Sequence, residues 1–220
     1  MGALESVDVS FRYPRTRDLV VEGWSQRFDP GTVTAVTGAS GSGKSTRLYV
    51  LALMARPGAG QILLDGGRVD DLPDTHRAAL RAERFGFVFQ DAALDPTRTV
   101  LDNVVESCLY RHEDPHTART RALDLLERMQ VEVPENRRPG QISGGQAQRI
   151  AVCRALVGCP DVIFADEPTG NLDEDSARVV LAMLREQADD GACVIIVTHD
   201  RATASWADVH VAVTAPEATR

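Results

Sequence analysis

The sequence predicts an α/β fold in which helices flank a largely parallel sheet, with an inserted helical subdomain and an N-terminal antiparallel β region. Two observations predict the core of this fold. Short, continuous apolar runs rich in β-branched residues alternate with segments of helical periodicity, which is typical of buried parallel strands and their crossover helices. Polar side chains follow each run, and parallel sheets bind ligands at the carboxyl ends of their strands.

Four apolar runs are the predicted strands of the sheet. They span residues 32–36, 87–89, 162–165 and 193–197, and they are followed by Thr37, Gln90, Asp166 and Thr198. Because the carboxyl ends of parallel strands lie at one edge of a sheet, we expect these polar residues to lie close together. The sequence therefore predicts a single site at that edge.

The segments between the strands supply the helices and the insertion. Residues 121–129 and 176–188 place apolar side chains on one face at helical spacing. Residues 91–140 break the alternation of strands and helices, because this stretch is polar and contains four prolines. We interpret it as a helical subdomain inserted into a single domain, whose α/β core consists of residues 1–90 and 141–220.

The composition excludes several classes of protein. At 220 residues and 43% hydrophobic content, the chain is long enough for one sizeable core. No apolar run approaches the roughly 18 residues of a membrane span, and the N-terminus lacks the features of a signal peptide. We expect a cytoplasmic protein, for which any role at a membrane would require a partner. The net charge of −8 argues against coating nucleic acid, so no nucleic-acid partner is expected.

The cysteines are scattered along the chain, and none belongs to a CxxC pair. This spacing argues against a metal site or a disulfide framework and favours free, buried thiols. The four positions are Cys108, Cys153, Cys159 and Cys193.

Residues 38–46 read GASGSGKST and match the phosphate-binding pattern GxxxxGK[ST]. They follow a predicted strand and open a helical segment, so a flexible Gly/Ser linker is the weaker interpretation. Glycines let backbone N–H groups turn towards phosphate oxygens, and the helix N-terminus adds its positive dipole end. Lys44 is expected to reach the β- and γ-phosphates, and the Ser45 hydroxyl is expected to bind Mg²⁺. The predicted P-loop NTPase core binds nucleotide through Gly38, Ala39, Ser40, Gly41, Ser42, Gly43, Lys44, Ser45 and Thr46.

Arg47 is the unexpected residue of this segment. It stands in the first turn of the predicted helix, where an apolar side chain is expected. The sequence indicates no function for it, and we expect its side chain to point to solvent.

A pair of carboxylates follows the third predicted strand. Asp166 is expected to bind Mg²⁺ or one of its water ligands, and Glu167 to take a proton from the water that attacks the γ-phosphate. An Asp-Glu pair before a turn is more often a solvated loop. The four apolar residues before this pair and the upstream phosphate loop favour the catalytic interpretation.

Two further residues at strand ends are candidates for the same chemistry. His199 is expected to bridge Glu167, the attacking water and the γ-phosphate. Gln90 is expected to contact Mg²⁺ or that water and so to sense whether nucleotide is present. Gln90 alone is a weak signal, and it gains weight from the other motifs.

In combination, these motifs resemble the ATP-binding subunit of ABC transporters over nearly the whole chain. ISGGQ is the most specific of them, since other P-loop families lack the SGGQ signature. DEPTGNLD and GFVFQ are most similar to the lipoprotein-releasing, macrolide-exporting and cell-division group of these ATPases. In chain order the matching elements are Tyr13, GASGSGKST (38–46), Gln90 in FVFQD, ISGGQAQR (142–149), VIFADEP (162–168), NLD (171–173) and THD (198–200).

The resemblance implies a site shared by two chains. The signature of one subunit would approach the γ-phosphate held by the phosphate loop of the other, where bare glycines allow close approach and the helix dipole favours an anion. Two chains would then enclose two ATP molecules before either is hydrolysed. The signature residues are Ser143, Gly144, Gly145 and Gln146.

The resemblance also implies the remaining contacts. Tyr13 would stack on adenine, and Asp173 would lie in the loop that links the two active sites across the dimer. ATP and Mg²⁺ are the implied cofactors. The implied partners are a second ATPase subunit, in an ATP-dependent homodimer or a pseudo-symmetric pair of different ATPases, and a transmembrane permease subunit docked on residues 91–140.

The predicted function is that of an ATP-hydrolysing subunit that powers export or release of a substrate through its transmembrane partner. Force transmission to cell-wall or division machinery uses the same motor residues and stays open as an alternative. A soluble ABC-type ATPase acting on DNA or ribosomes is disfavoured, because the roughly 100 residues between Lys44 and Ser143 contain no sustained heptads. A P-loop kinase would leave the signature without a purpose.

Overall fold

The computed structural model describes residues 3–14, 16, 18–111 and 113–216, and these residues form two sheets. The antiparallel sheet has the order β2-β1-β4-β5, with β1 (Leu4–Phe11), β2 (Val21–Phe28), β4 (Ala59–Leu64) and β5 (Gly67–Arg68). The parallel sheet has the order β6-β7-β8-β3-β9, with β3 (Val33–Thr37), β6 (Phe85–Val88), β7 (Val162–Asp166), β8 (Cys193–Val197) and β9 (Val209–Ala212). The predicted fold class is confirmed.

The helices lie between these strands along the chain. They are α1 (Lys44–Leu51), α2 (Asp74–Arg84), α3 (Val100–Tyr110), α4 (Pro115–Arg128), α5 (Gly144–Leu156), α6 (Glu174–Asp189) and α7 (Arg201–Trp206), with a 3-10 turn at Pro139–Gln141. Within the described ranges, none of these helices has the length and apolar content needed to cross a membrane.

The parallel sheet is buried on both faces. In β7, Ile163 and Ala165 pack into an apolar cluster with α3 to α6, whereas Val162 and Phe164 pack against α1 and the antiparallel sheet. This alternation follows from the period of two along a strand. Burial on both faces explains why the sequence shows a continuous apolar run rather than an alternating pattern.

Strand β6 begins two residues earlier than the sequence suggests. Phe85 pairs with Val162 and Gly86 pairs with Ile163, so the ladder includes residues that the prediction of 87–89 left out. Gly86 is needed there because a Cβ at this position would lie 2.4 Å from the carbonyl oxygen of Ala155 in α5. The glycine thus permits the close approach of α5 to the sheet.

Helices α3 and α4 lie within the predicted helical insertion. Their apolar residues belong to one cluster that continues through Ile150 and Val152 of α5 to Ile163 of the sheet. Residues 91–140 therefore pack on the core through the helix that carries the signature. The boundaries of the subdomain stay a prediction.

The expectation of four buried thiols is wrong at one position. All four cysteines are free and three are buried, but Cys159 is exposed. Cys159 lies in the connection between α5 and β7 and has a left-handed φ of 47°. Such connections generally run over the protein surface, which agrees with its exposure.

Candidate active site

The carboxyl ends of three neighbouring strands define the candidate site. Val197 at the end of β8 pairs with Val36 of β3 on one side and with Asp166 of β7 on the other. A cleft of about 780 Å³ lies at this edge of the sheet. The predicted residues that line it are Gly38, Ala39, Ser40, Gly41, Gly43, Lys44, Ser45, Thr46, Gln90, Asp166, Glu167 and His199.

The phosphate loop connects β3 to α1 and curls around one side of the cleft. Gly41 and Gly43 have φ values of 78° and 80°, in the left-handed region that glycine adopts without strain. Gly43 is the N-cap of α1 and has no side chain with which to cap the first turn, so the N–H groups there are suited to an anion in the cleft. The Lys44 ammonium donates to the carbonyl oxygens of Gly38 and Ala39 at 3.0 and 2.9 Å.

Asp166 lies at the base of the cleft and is buried. Burial raises the pKa of its carboxyl group, and the hydroxyl of Ser45 and the charge of Lys44 partly offset this effect. Its Oδ1 atom is buried and accepts no hydrogen bond from the part of the chain that the structure describes. A buried oxygen without a partner is costly, so this atom is suited to a ligand that supplies positive charge.

The donor set is compatible with a magnesium ion that arrives with a nucleotide. Among the residues described, no group of three or more His, Cys, Asp or Glu side chains is placed to hold a metal ion by itself. Magnesium does not require such a group, because it keeps several waters and is bound by one or two carboxylates together with substrate phosphates. The free oxygen of Asp166 and the hydroxyl of Ser45 fit this arrangement.

Glu167 adopts a backbone conformation that is rare for a residue with a side chain. Its φ is 48°, and such values persist only where surrounding contacts enforce them. The carboxylate accepts hydrogen bonds from the Thr198 hydroxyl at 3.0 Å and from the backbone N–H of His199 at 2.9 Å. These contacts hold the carboxylate at the wall of the cleft. Thr198 lies at the strand end where the sequence places it, but its hydrogen bond to Glu167 is not predicted by the sequence.

His199 forms the most direct side-chain contact of the site. Its Nδ1 lies 2.5 Å from Oε1 of Glu167, and its side chain is 76% exposed. The hydrogen bond and the negative charge of Glu167 raise the pKa of His199. The two residues therefore lie together as the sequence predicts.

Gln90 lies in a strained loop that α5 holds in place. Ala92 and Ala93 have φ values of 60° and 46°, and the Arg154 guanidinium donates to both of their carbonyl oxygens at 2.7 Å. The Gln148 amide donates to the carbonyl just before Gln90 at 3.3 Å. Buried polar residues need partners, but the sequence does not indicate that the partners of Gln148 and Arg154 are in this loop.

The signature residues lie outside the cleft. Ser143 is the N-cap of α5: its hydroxyl accepts from the backbone N–H of Gln146 at 3.2 Å, and the Gln146 side chain accepts from the backbone N–H of Ser143 at 2.9 Å. Ser143 and Gly144 are exposed, and Gly145 lies beside Leu172. One chain therefore does not bring the signature to its own phosphate loop.

Tyr13 and Asp173 also lie outside the lining of the cleft. The Tyr13 hydroxyl is 3.0 Å from the Thr46 hydroxyl, and its ring packs edge-on against Phe11. Asp173 caps α6 by accepting from the backbone N–H of Ser176 at 2.8 Å. Their assigned contacts, with adenine and with a second subunit, stay predictions.

One residue of the phosphate loop and the residue that follows the loop differ from the expectation. Ser42 is buried behind the loop, and its hydroxyl makes no hydrogen bond among the residues described. The expectation that Arg47 points to solvent is wrong, because the residue is only 5% exposed. The loop and Trp24 of β2 cover its guanidinium, so the folded chain encloses a side chain that α1 alone would expose.

A sequence profile of the ABC transporter family matches residues 21–170 of the chain. The chain belongs to the ABC transporter family. The match covers 150 of the 220 residues and includes the phosphate loop, the signature and the Asp-Glu pair. This ABC chain is therefore an ATP-binding and ATP-hydrolysing subunit, as the motifs predict.

Individual relatives agree with the family assignment. The lipoprotein-releasing system ATP-binding protein LolD 1 of Caulobacter vibrioides is 45% identical over 188 residues, which cover 84% of this chain and 80% of that protein. The macrolide export ATP-binding/permease protein MacB of Rhodopseudomonas palustris is 44% identical over 81% of this chain. The chain spans only 27% of the length of that MacB protein.

A solved structure shows the same fold. It is the dimeric, post-hydrolysis state of the ATP-binding cassette MJ0796 bound to ADP and Pi. Its TM-score is 0.90 at 30% identity, and the alignment covers 96% of this chain and 94% of that one. The ABC cassette fold is thus confirmed for this chain.

Replacing Glu167 should lower the pKa of His199. In Glu167→Gln the negative charge is lost, and the pKa of the imidazole should return towards its ordinary value. An NMR titration of the His199 ring measures this change. Because the pKa is raised in the folded protein, the His199–Glu167 ion pair forms as the pH falls below that pKa and is lost as the pH rises through it.

Asp200→Asn is the matched control for this titration. Asp200 also raises the pKa of His199, but more weakly than Glu167 does, so its removal should change the pKa less than the removal of Glu167. An unchanged pKa of His199 in Glu167→Gln would contradict the pairing described for the site.

Proposed function

We propose that two copies of this ABC subunit enclose two ATP molecules, and that the signature of each copy completes the site of the other. This proposal rests on the separation, within one chain, of the signature from the other predicted site residues. The cleft contains the phosphate loop, both carboxylates and His199, whereas the signature is exposed on another part of the surface. The dimer named for the similar MJ0796 cassette supports the same arrangement.

The signature is chemically suited to contact a phosphate from outside its own chain. Helix α5 has 13 residues, and its N-terminus carries the positive end of the helix dipole. Gly144 and Gly145 present backbone without side chains, so an anion can approach the first N–H groups closely. The Ser143 hydroxyl is exposed and keeps acceptor and donor capacity beyond its capping bond.

Within each composite site, we assign the proton transfer to Glu167. Water attacks the γ-phosphorus while the Glu167 carboxylate takes a proton from it, and ADP leaves with the former bridging oxygen. Thr198 and the His199 backbone fix the carboxylate, so little reorganisation is required during the reaction. His199 contacts Glu167 through Nδ1, and Nε2 on the opposite side of the ring is then available to the γ-phosphate.

Lys44, Ser45 and Asp166 are assigned to the phosphate chain. Lys44 already points across the phosphate loop, and it would exchange its two carbonyl contacts for phosphate oxygens. Asp166 and Ser45 would hold Mg²⁺, with Gln90 nearby at the wall of the cleft. When bound, the ion supplies positive charge that offsets the charge developing on the phosphate oxygens.

We further propose that the Gln90 loop passes movement to a transmembrane permease subunit docked on residues 91–140. The loop leads from the cleft to α3 and is tied to α5 through Arg154. A change at the phosphates would therefore reach both the helical region and the signature helix. The export and release functions named for the MacB and LolD relatives support outward transport and a peripheral position on the cytoplasmic face of the membrane.

Glu167→Gln should trap the ATP-bound dimer, because the substitution removes the proton acceptor while leaving the phosphate loop intact. Light scattering should show dimer for this variant with Mg-ATP and monomer without nucleotide. The double variant Lys44→Ala, Glu167→Gln is the control, since it lacks the phosphate contact and should stay monomeric. A Glu167→Gln protein that remains monomeric in saturating Mg-ATP would contradict the composite site.

The membrane partner is tested by co-purification from native membranes with Glu167→Gln locked in Mg-ATP. We expect the amount of transmembrane protein recovered to increase with the fraction of the ATPase that is bound to ATP. The same preparation with Lys44→Ala, Glu167→Gln controls for contacts that do not depend on nucleotide. Recovery of ribosomes or DNA without a membrane protein would show that the ATPase serves a different machine.

A further inference from the structure

Arg47 is a buried cation directly behind the phosphate loop. Its NH1 donates to the carbonyl oxygen of Ser42 at 2.6 Å, and its NH2 donates to the carbonyl oxygen of Thr214 at 3.3 Å. The guanidinium carbon lies 5.5 Å from the centroid of the Trp24 ring. Three separate segments thus converge on one side chain.

The charge of Arg47 has no partner of opposite sign in the part of the chain that the structure describes. Its hydrogen bonds there end on two carbonyl oxygens, and burial is the cause of its lowered pKa. A buried charge without a counterion is unfavourable, and an apolar side chain in this first turn would avoid that cost. The charge is therefore best explained by an anion that binds nearby.

The geometry of one peptide unit connects Arg47 to the cleft. The Ser42 carbonyl and the Gly43 N–H belong to the same planar trans peptide, so they point in opposite directions. The carbonyl points at Arg47, and Gly43 lines the cleft. A Cβ on Gly43 would lie 3.0 Å from the Arg47 NH1, which places the guanidinium immediately beneath this residue.

We propose that Arg47 is a positioning residue for the nucleotide phosphates. Its hydrogen bond polarises the Ser42–Gly43 peptide and makes the Gly43 N–H a stronger donor towards the cleft. Its positive charge adds to that of Lys44 on the opposite side of the loop. Arg47 touches no phosphate itself and acts through the backbone of the phosphate loop.

A purely structural role makes a different prediction. Through Thr214, Arg47 also ties the segment after β9 to the phosphate loop, and a Cβ on Gly38 would lie 2.3 Å from the carbonyl oxygen of Val213. If this tie were the only role of Arg47, substitutions would lower thermal stability without a selective loss of phosphate affinity.

The experiment compares Arg47→Met with Arg47→Lys in the full chain. Calorimetry measures the affinity for ADP and, separately, for inorganic tripolyphosphate, which has a phosphate chain without a nucleoside. Arg47→Met should weaken both by a similar factor of about ten, the order expected when one nearby positive charge is removed while the Gly43 N–H bond is kept. Arg47→Lys retains a positive charge but not the guanidinium contacts, so it should lose less affinity for both ligands than Arg47→Met, about threefold.

Two controls separate this inference from other effects. Arg56→Met removes an exposed arginine near the end of α1, so it changes the net charge equally and should leave both affinities unchanged. Thermal unfolding of each nucleotide-free variant reports on folding, and Arg47→Gln replaces Arg47→Met if the latter does not fold.

The inference about Arg47 rests on the proposed binding of nucleotide in the cleft. A separate variant distinguishes a failure of this inference from a failure of nucleotide binding. Lys44→Ala should abolish ADP binding whether or not Arg47 positions the phosphates. Parent-like affinities in Arg47→Met, or equal losses in Arg47→Met and Arg47→Lys, would overturn the role of the Arg47 charge. Loss of ADP affinity with unchanged tripolyphosphate affinity would overturn it as well.

Discussion

The register of three parallel strands is the constraint on which the site depends. Val197 pairs with both Val36 and Asp166, so β3, β7 and β8 reach the same edge of the sheet. A shift by one residue would exchange the two faces of a strand and displace every polar residue that follows it. Strands β7 and β8 are buried on both faces, so such a shift would also place side chains of different volume against the packed layers on either side.

Strained backbone at the cleft is maintained by specific hydrogen bonds. Glu167 and Ala92 both have left-handed φ values, and each lies beside donors that fix its segment: Thr198 for the first and Arg154 for the second. Such conformations cost free energy of order 1–3 kcal/mol each and persist where the surroundings over-determine them. One donor directly follows β8 and the other belongs to α5, so the site is coupled to the core and to the signature helix.

The sequence predicts the parts of the site that depend on local pattern. The phosphate loop, the Asp-Glu pair and His199 follow continuous apolar runs, and the structure brings them together in one cleft. Arg47 and Arg154 could not be placed in this way, because their partners are carbonyl oxygens that only the tertiary fold brings near. The start of β6 could not be predicted for a related reason. Gly86 is required by the close approach of α5, and the residues of the strand alone do not indicate that approach.

Cross-linking between two copies tests the central claim most directly. Ala39→Cys and Ser143→Cys are introduced on separate copies, both with Glu167→Gln and with the exposed Cys159 replaced by serine. Under mild oxidation with Mg-ATP, the mixture should form a disulfide-linked dimer that neither variant forms alone, since a disulfide requires Cα atoms within about 7 Å. Absence of this dimer, or equal formation without nucleotide, would contradict a site completed by the signature of a second chain.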